Sequence, residues 1–138
     1  MPSWIFPMTT AATAGALGIL QIVLMVYIGL GRAKFRTGLG DGGHDALNRR
    51  IRMHGNLTEN APLFLVLLGL AETSGFVPGL VRWLGPLVVL CRIIHVFGLS
   101  LWFGPGPNPL RAIGATGTLI GIGVLAVSLL WVALPRLM

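Results

Sequence analysis

Residues 49–62 hold several side chains that bind anions or exchange protons. At about 100° per residue, Arg49, Arg52, Asn56 and Glu59 fall on one face of a helix. Guanidinium groups bind carboxylates in a bidentate manner, amides donate and accept hydrogen bonds, and a carboxylate binds an ammonium group. This stripe predicts a binding site for a charged small molecule.

Two later segments add charge to this site. Arg92 and His95 are one helical turn apart, and Arg111 follows a turn over 104–109. Together with the stripe, they predict a cavity rich in guanidinium groups with one carboxylate. Such a cavity suits an anionic ligand that also carries one ammonium group, and glutathione has this pattern. An arginine near its thiol would favour the thiolate and so lower the thiol pKa.

The composition indicates which solvent surrounds these side chains. The chain has 138 residues, of which 54% are apolar and 10% charged, and its mean hydropathy is +0.83. Too little polar surface is present to cover a water-soluble globule, so lipid is the expected solvent. The net charge is +6, but the basic residues do not form a patch interleaved with aromatic residues. No nucleic-acid partner is predicted.

Four stretches approach the roughly 20 residues that cross a bilayer as a helix. They predict helices over about 8–32, 46–73, 76–103 and 109–135. The fold class is therefore all-α, an integral membrane four-helix bundle in one domain over 1–138. No basic residue precedes the first apolar run, so we expect it to stay as a membrane helix and not to be a cleaved signal peptide. The second and third helices carry the ionisable groups and should line the working site.

The arginines and lysine also predict the orientation of the chain. Six of the ten basic residues lie in 32–52, between the first two helices, and Arg111 lies at the last connection. The opposite side has only Arg82 and Arg136. By the positive-inside rule, the first and third connections are cytoplasmic and both termini are outside.

A sequence motif in the second helix adds a family resemblance. The pattern Arg52-x-His54-x-Asn56-x-x-Glu59-x-x-Pro62 resembles the second-helix signature of the membrane-associated proteins in eicosanoid and glutathione metabolism. The resemblance implies four-helix protomers assembled as homotrimers, with glutathione bound between neighbouring subunits near the cytoplasmic face.

The resemblance also implies roles for individual residues. Arg111 would stabilise the glutathione thiolate. Asn60 and Leu99 stand where family members often have tyrosine, so aromatic contacts to glutathione are missing. Glutathione would be held directly by Arg52, Asn56 and Glu59. Supporting roles would fall to Arg32, His54, Arg92 and His95.

The function that follows is a glutathione-dependent membrane transferase or peroxidase, which acts on a lipophilic electrophile entering from the bilayer. A non-catalytic lipid-binding protein of the same fold is the alternative, and the missing tyrosines favour it. A small four-helix multidrug exporter is a third class. Such exporters need a carboxylate within the first helix, and 1–31 contains no acidic residue.

Structural roles are open for several of these side chains. The stripe on the second helix could form an interhelical network that fixes the trimer, and Arg92 could pair with Glu59. His95 could be a buried neutral histidine, and His54 could lie on the surface. No metal is predicted, because the three histidines lack a zinc-binding spacing.

Other residues predict packing and boundaries. The stripe continues as Leu63, Val66 and Leu70, so it is expected to point into the bundle. Asp45 could cap the second helix, and a Gly-x-x-x-Gly pair at 117 and 121 predicts close helix packing. The tryptophans near the predicted helix ends are expected to anchor the membrane interface, and they are Trp4, Trp83, Trp102 and Trp131.

Overall fold

A computed structural model describes residues 6–75, 78–101 and 108–137. Its elements, in chain order, are the helices α1 (Met8–Phe35), α2 (Asp45–Ser74), α3 (Pro78–Leu101) and α4 (Pro109–Leu137). The prediction of an all-α, four-helix chain is confirmed. The helix ends expected at 76 and 103 lie outside the described residues, as do Trp4 and Trp102.

Three of the helices, α1, α3 and α4, are long and apolar enough to cross a membrane. The first half of α2 is polar, so α2 does not meet the same composition test. It nevertheless runs antiparallel to α1 over its whole length. Glu72 contacts Thr9 at one end, and Arg50 contacts Tyr27 near the other. Residues 50–72 of α2 therefore extend alongside residues 9–27 of α1.

The first turn of α1 is capped by a residue far away in the sequence. Glu72 Oε1 accepts a 2.8 Å bond from the Thr9 amide, and its Oε2 accepts bonds of 2.7 Å from the amide and the hydroxyl of Thr10. Pro7, the N-cap residue, makes no side-chain cap of its own. The carboxylate thus satisfies two amides that have no partner within the helix and places negative charge at the positive end of the dipole. This role of Glu72 was not predicted from the sequence.

The connection between α1 and α2 begins later than expected. Arg36 adopts a left-handed conformation with φ of 51°, and the Thr37 amide donates to the Arg32 carbonyl, which is a Schellman-type end. His44 is the N-cap of α2, and it makes no side-chain cap hydrogen bond. Asp45 lies within the first turn, so its predicted capping role is wrong.

Two apolar clusters hold the helices together. One joins α1 to α2 and contains Leu17, Leu24, Met53 and Leu57. The other joins α2, α3 and α4, and its buried members are Phe64, Leu68, Ala71, Val81, Leu84, Val88 and Leu125. Because both clusters include α2, this helix forms the centre of the bundle.

Glycines allow α3 and α4 to approach each other closely. A Cβ on Gly114 would lie 2.5 Å from the Cys91 carbonyl oxygen and 2.7 Å from the His95 amide nitrogen. Gly121 faces Val88 in the same way, at 2.8 Å. Of the pair predicted to form a packing surface on α4, Gly117 lies against the Cys91 sulfur and Gly121 against Val88, so both face α3.

The outer surface of the four-helix bundle is largely apolar and includes part of α2. Leu63, Val66 and Leu70 are 53%, 59% and 54% exposed. Their predicted direction, into the bundle, is wrong, because the core face of α2 lies roughly 120° further around the helix. Trp83 and Trp131 are also on the surface, as expected of interface anchors.

Candidate functional site

A cationic pocket opens where the N-terminal half of α2 meets α3 and α4. Its volume is about 220 Å³. We call it the cationic pocket, and its lining residues are Asp45, Asn48, Arg49, Arg52, Asn56, Leu99 and Arg111. Three guanidinium groups, two amides and one carboxylate therefore surround one small space.

The α2 side of the pocket is a single helical stripe. Asp45, Arg49, Arg52 and Asn56 follow one another at spacings of three or four residues, which places them on one face. The Asn56 amide donates a 2.9 Å bond to the Arg52 carbonyl, one turn earlier. Asn60 likewise donates to the Asn56 carbonyl at 2.7 Å.

The carboxylate that lines the pocket is Asp45 and not Glu59. Glu59 lies on the same side of α2, but it is exposed and lies beyond the pocket lining. Asp45 had been expected only to cap α2. The signal that could have identified it is its spacing of seven residues from Arg52, which is two helical turns.

Arg111 is placed by the first turn of α4. The Asn108 Oδ1 atom accepts a 3.1 Å bond from the Arg111 amide, in the geometry of an N-cap, and Pro109 occupies the first helical position. Asn108 also donates through Nδ2 to the Gly98 carbonyl of α3. A Cβ on Gly98 would lie 2.5 Å from the Arg111 amide nitrogen, so only glycine permits this approach. These contacts fix the backbone of Arg111 against α3.

Arg92 lies behind the pocket. Its side chain is only 3% exposed. Its Nη2 atom donates to the Gly114 carbonyl at 2.6 Å and its Nη1 atom to the Asn56 carbonyl at 3.4 Å, while Nε has no partner among the described residues. Among those residues no carboxylate pairs with Arg92, so the alternative pairing with Glu59 is not formed. Arg92 therefore joins α2, α3 and α4 through backbone carbonyls.

His95 is buried one turn further along α3. It is 2% exposed, and its backbone and Cβ atom lie against Gly114. It is therefore among the most enclosed polar side chains of the protomer. Within the protomer it does not line the cationic pocket.

Two other predicted residues make contacts outside the pocket, one with the connection between α1 and α2 and one with α1. Arg32 donates from Nη1 to the carbonyls of Gly38 and Gly40 at 3.2 and 3.0 Å, which holds that connection in place. His54 Nε2 lies 2.7 Å from the Gln21 amide nitrogen, which also donates to Thr58 at 3.1 Å. The structure thus brings together three of the eight predicted residues in the pocket, namely Arg52, Asn56 and Arg111.

Comparisons with known proteins agree with this architecture. A family model described as "MAPEG family" matches residues 10–131. The chain is also 34% identical over 67 residues to "Inner membrane protein YecN" of Escherichia coli strain K12, and equally to the protein of that name from strain O6:H1. These matches cover 49% of the chain, which spans about half the length (51%) of the curated relatives it matches. Because the family match extends over most of the four helices, the chain belongs to the MAPEG family, the membrane-associated proteins in eicosanoid and glutathione metabolism.

Proposed function

We propose that the chain is a glutathione-dependent membrane transferase or peroxidase that acts on lipophilic electrophiles. The observation that carries this proposal is the convergence of Arg52, Asn56 and Arg111 in one pocket, from helices that are far apart in the sequence. The same pocket holds Asp45, a carboxylate of opposite charge. Membership of the family supports a membrane protein of this kind.

Glutathione fits the chemistry of the pocket lining. It carries two carboxylates, one ammonium group, two amides and a thiol. Arg52 would bind a carboxylate, Asp45 the ammonium group, and Asn56 an amide, each through a charge-assisted or amide hydrogen bond. Arg111 would lie near the sulfur and stabilise its anionic form.

Two reactions follow from a stabilised thiolate. In the transfer reaction, the sulfur electron pair forms a bond to an electrophilic carbon, and the leaving group departs with its bonding pair. In the peroxidase reaction, the sulfur attacks the terminal oxygen of a hydroperoxide, the O–O bond breaks, and an alcohol leaves. A second glutathione then reduces the sulfenic acid, which gives the disulfide and water.

The size of the pocket favours an assembly. Its volume of about 220 Å³ lies below the roughly 300–1,000 Å³ of common small-molecule sites. Glu59, Leu63 and Val66 form an exposed stripe on α2, where an acidic residue needs a protein or water neighbour. A homotrimer in which a second protomer covers this stripe would enlarge the site and bring Glu59 to it.

The location proposed is a bacterial inner membrane, because the relatives in Escherichia coli carry that description. The cationic pocket and the connection between α1 and α2 would face the cytoplasm, with both termini outside, since the basic residues cluster at that end. Electrophiles dissolved in the bilayer would reach the sulfur from the side.

The decisive test is a calorimetric titration of glutathione into the detergent-solubilised protein. Saturable binding is expected, and oxygen-for-sulfur glutathione should bind more weakly because it lacks the thiolate. Turnover is then measured with an aryl halide and with a lipid hydroperoxide. Absence of glutathione binding by a folded oligomer would refute the proposal.

A non-catalytic lipid-binding protein is the second candidate. Leu99 lines the pocket and Asn60 is engaged with the helix backbone, so neither supplies an aromatic contact to glutathione. Saturable fatty-acid binding, with no glutathione binding and no turnover, would favour this candidate.

A further inference from the structure

A second cavity lies at the end of the bundle away from the cationic pocket. It runs between the start of α1 and the first half of α3, and its volume is about 570 Å³. We call it the α1/α3 groove, and its lining residues are Met8, Thr9, Ala12, Thr13, Ala16, Arg82, Pro86 and Val89. Apart from Arg82 and two threonines, these side chains are apolar.

The shape of the groove suits a single hydrocarbon chain. It follows α1 from Met8 to Ala16, which is about 12 Å at 1.5 Å per residue. Ala12 and Ala16 leave space that larger side chains would fill. Thr13, whose hydroxyl donates to the Thr9 carbonyl at 2.7 Å, adds little free polarity to the walls. The interior of the groove therefore offers dispersion contacts and no hydrogen-bonding edge for a peptide.

The mouth of the groove has an uncompensated positive charge. Arg82 is exposed, and in the described ranges no carboxylate pairs with it. Glu72 is the acidic residue at this end of α2, and it accepts hydrogen bonds from Thr9 and Thr10 at the start of α1. The Glu72 carboxylate is thus engaged in capping α1. An anion from outside the protein is left to neutralise Arg82.

Trp83 indicates the depth of this arginine in the bilayer. It follows Arg82 in the sequence and is 74% exposed. Exposed tryptophans of membrane helices lie at the level of the lipid headgroups. Arg82 is therefore at headgroup depth, while Ala16 and Val89 lie further towards the hydrocarbon.

We propose that the α1/α3 groove is a binding site for one anionic phospholipid, with its phosphate on Arg82 and one acyl chain along Ala12 and Ala16. A headgroup with net negative charge is required, because the choline group of a zwitterionic lipid would bring a cation next to the guanidinium. This site does not depend on the glutathione proposal, since it shares no residue with the cationic pocket.

The test uses the purified oligomer incubated with phosphatidylglycerol or phosphatidylcholine of identical chains, with bound lipid counted by native mass spectrometry. The wild type should retain phosphatidylglycerol in preference. Arg82→Gln should lower that retention by roughly five-fold or more, since one arginine near a membrane surface contributes about 1 kcal/mol to the binding of anionic lipid. Phosphatidylcholine retention should not change.

Three further variants sharpen the result. Arg136→Gln removes another exposed arginine, in the last turn of α4, and should behave as the wild type. Arg82→Lys should keep part of the preference, and Ala16→Phe should lower retention of both lipids by filling the groove. Helix content by circular dichroism identifies variants that fail to fold, and if Ala16→Phe is one of them, Ala12→Phe fills the same groove in its place.

The proposal is overturned if Arg82→Gln and Arg136→Gln retain equal amounts of phosphatidylglycerol. It is also overturned if another copy of the chain covers the groove. Cys91 is buried, so an Ala12→Cys variant in a Cys91→Ala background carries a single reporter thiol. Efficient disulfide formation between copies at position 12 would assign the groove to a protein interface.

Discussion

The Nη2 atom of Arg92 on α3 donates a 2.6 Å hydrogen bond to the backbone carbonyl of Gly114 on α4. The Nη1 atom of the same guanidinium reaches the Asn56 carbonyl on α2 at 3.4 Å. Gly114 is one turn from Arg111, so this one side chain links both walls of the cationic pocket.

Replacing Arg92 should therefore loosen the pocket. Arg92→Met removes both hydrogen bonds and should lower the free energy of unfolding by about 1–3 kcal/mol. Arg92→Lys should be nearly as damaging, because an ammonium group cannot reproduce the planar fork. Thermal unfolding in detergent measures both, with Arg136→Met as the control. Wild-type stability in the lysine variant would contradict the bridging role.

Removing Arg52 should weaken glutathione binding. Arg52→Ala deletes a pocket guanidinium and leaves a ligand carboxylate without its counter-charge, at a cost of roughly 2 to 5 kcal/mol. Lys34→Ala, at the exposed end of α1, is the matched control. Calorimetry on the folded oligomer decides the matter, and equal affinities in the two variants would assign Arg52 to a structural network.

The calorimetric measurement on Arg52→Ala can be repeated with Glu59→Gln. The residue is outside the pocket of a single protomer, so an effect on affinity is expected only in the assembled trimer. An effect comparable to that of Arg52→Ala would support a site shared between protomers. Wild-type affinity would leave Asp45 as the carboxylate that binds the ammonium group.

Arg111 should govern the chemistry more than the binding. Arg111→Ala is expected to retain glutathione through Arg52 and Asn56, to raise the pKa of the bound thiol, and to lower turnover at neutral pH. The ultraviolet absorbance of the thiolate follows that pKa during a titration. Identical thiol pKa values in the variant and the wild type would show that Arg111 is not the activator.

The exposed face of α2 predicts the oligomeric state. Val66→Trp should disrupt a homotrimer, because it inserts a large ring where close packing between helices is expected. Val127 on α4 is similarly exposed, and Val127→Trp should leave the assembly intact. Native mass spectrometry reports the number of chains. A stable wild-type monomer would argue against the assembly.

The orientation can be tested by cysteine labelling. A cysteine at Gly42 would be strained, because φ is 57° and its Cβ would lie 2.6 Å from the Thr37 hydroxyl. Gly38 is exposed, and a Cβ there meets nothing within 4 Å. Gly38→Cys should react only from the cytoplasmic side and Leu137→Cys only from outside. The reverse pattern would invert the topology.

The apolar runs were sufficient to predict the four helices, because each must satisfy its own backbone in lipid. Helix ends were less predictable, since the end of α1 depends on the backbone geometry of Arg36 and Thr37. In the site, periodicity placed Arg52 and Asn56 on one face correctly. It could not show how that face is oriented toward the other helices, so Leu63 and Val66 were expected inside.

Contacts between distant residues were the least accessible to sequence reasoning. Arg92 was expected at the ligand, but its donors are directed to carbonyls on two other helices. Asp45 was expected only as a helix cap, although two helical turns separate it from Arg52. For both residues the sequence identified a charged side chain. The group that this side chain contacts depends on how the helices pack, which the sequence did not reveal.

Glu72, whose carboxylate caps the first turn of α1, also affects how the chain is expected to enter the bilayer during synthesis. The amides of Thr9 and Thr10 obtain their partner only after Glu72 has left the ribosome, more than sixty residues later. Until then, the first turn of α1 holds open donors that must stay in water. We expect α1 and α2 to insert together as one helical hairpin, with Arg50 against Tyr27 near its other end. On this expectation, one side-chain contact would determine when α1 and α2 insert relative to each other.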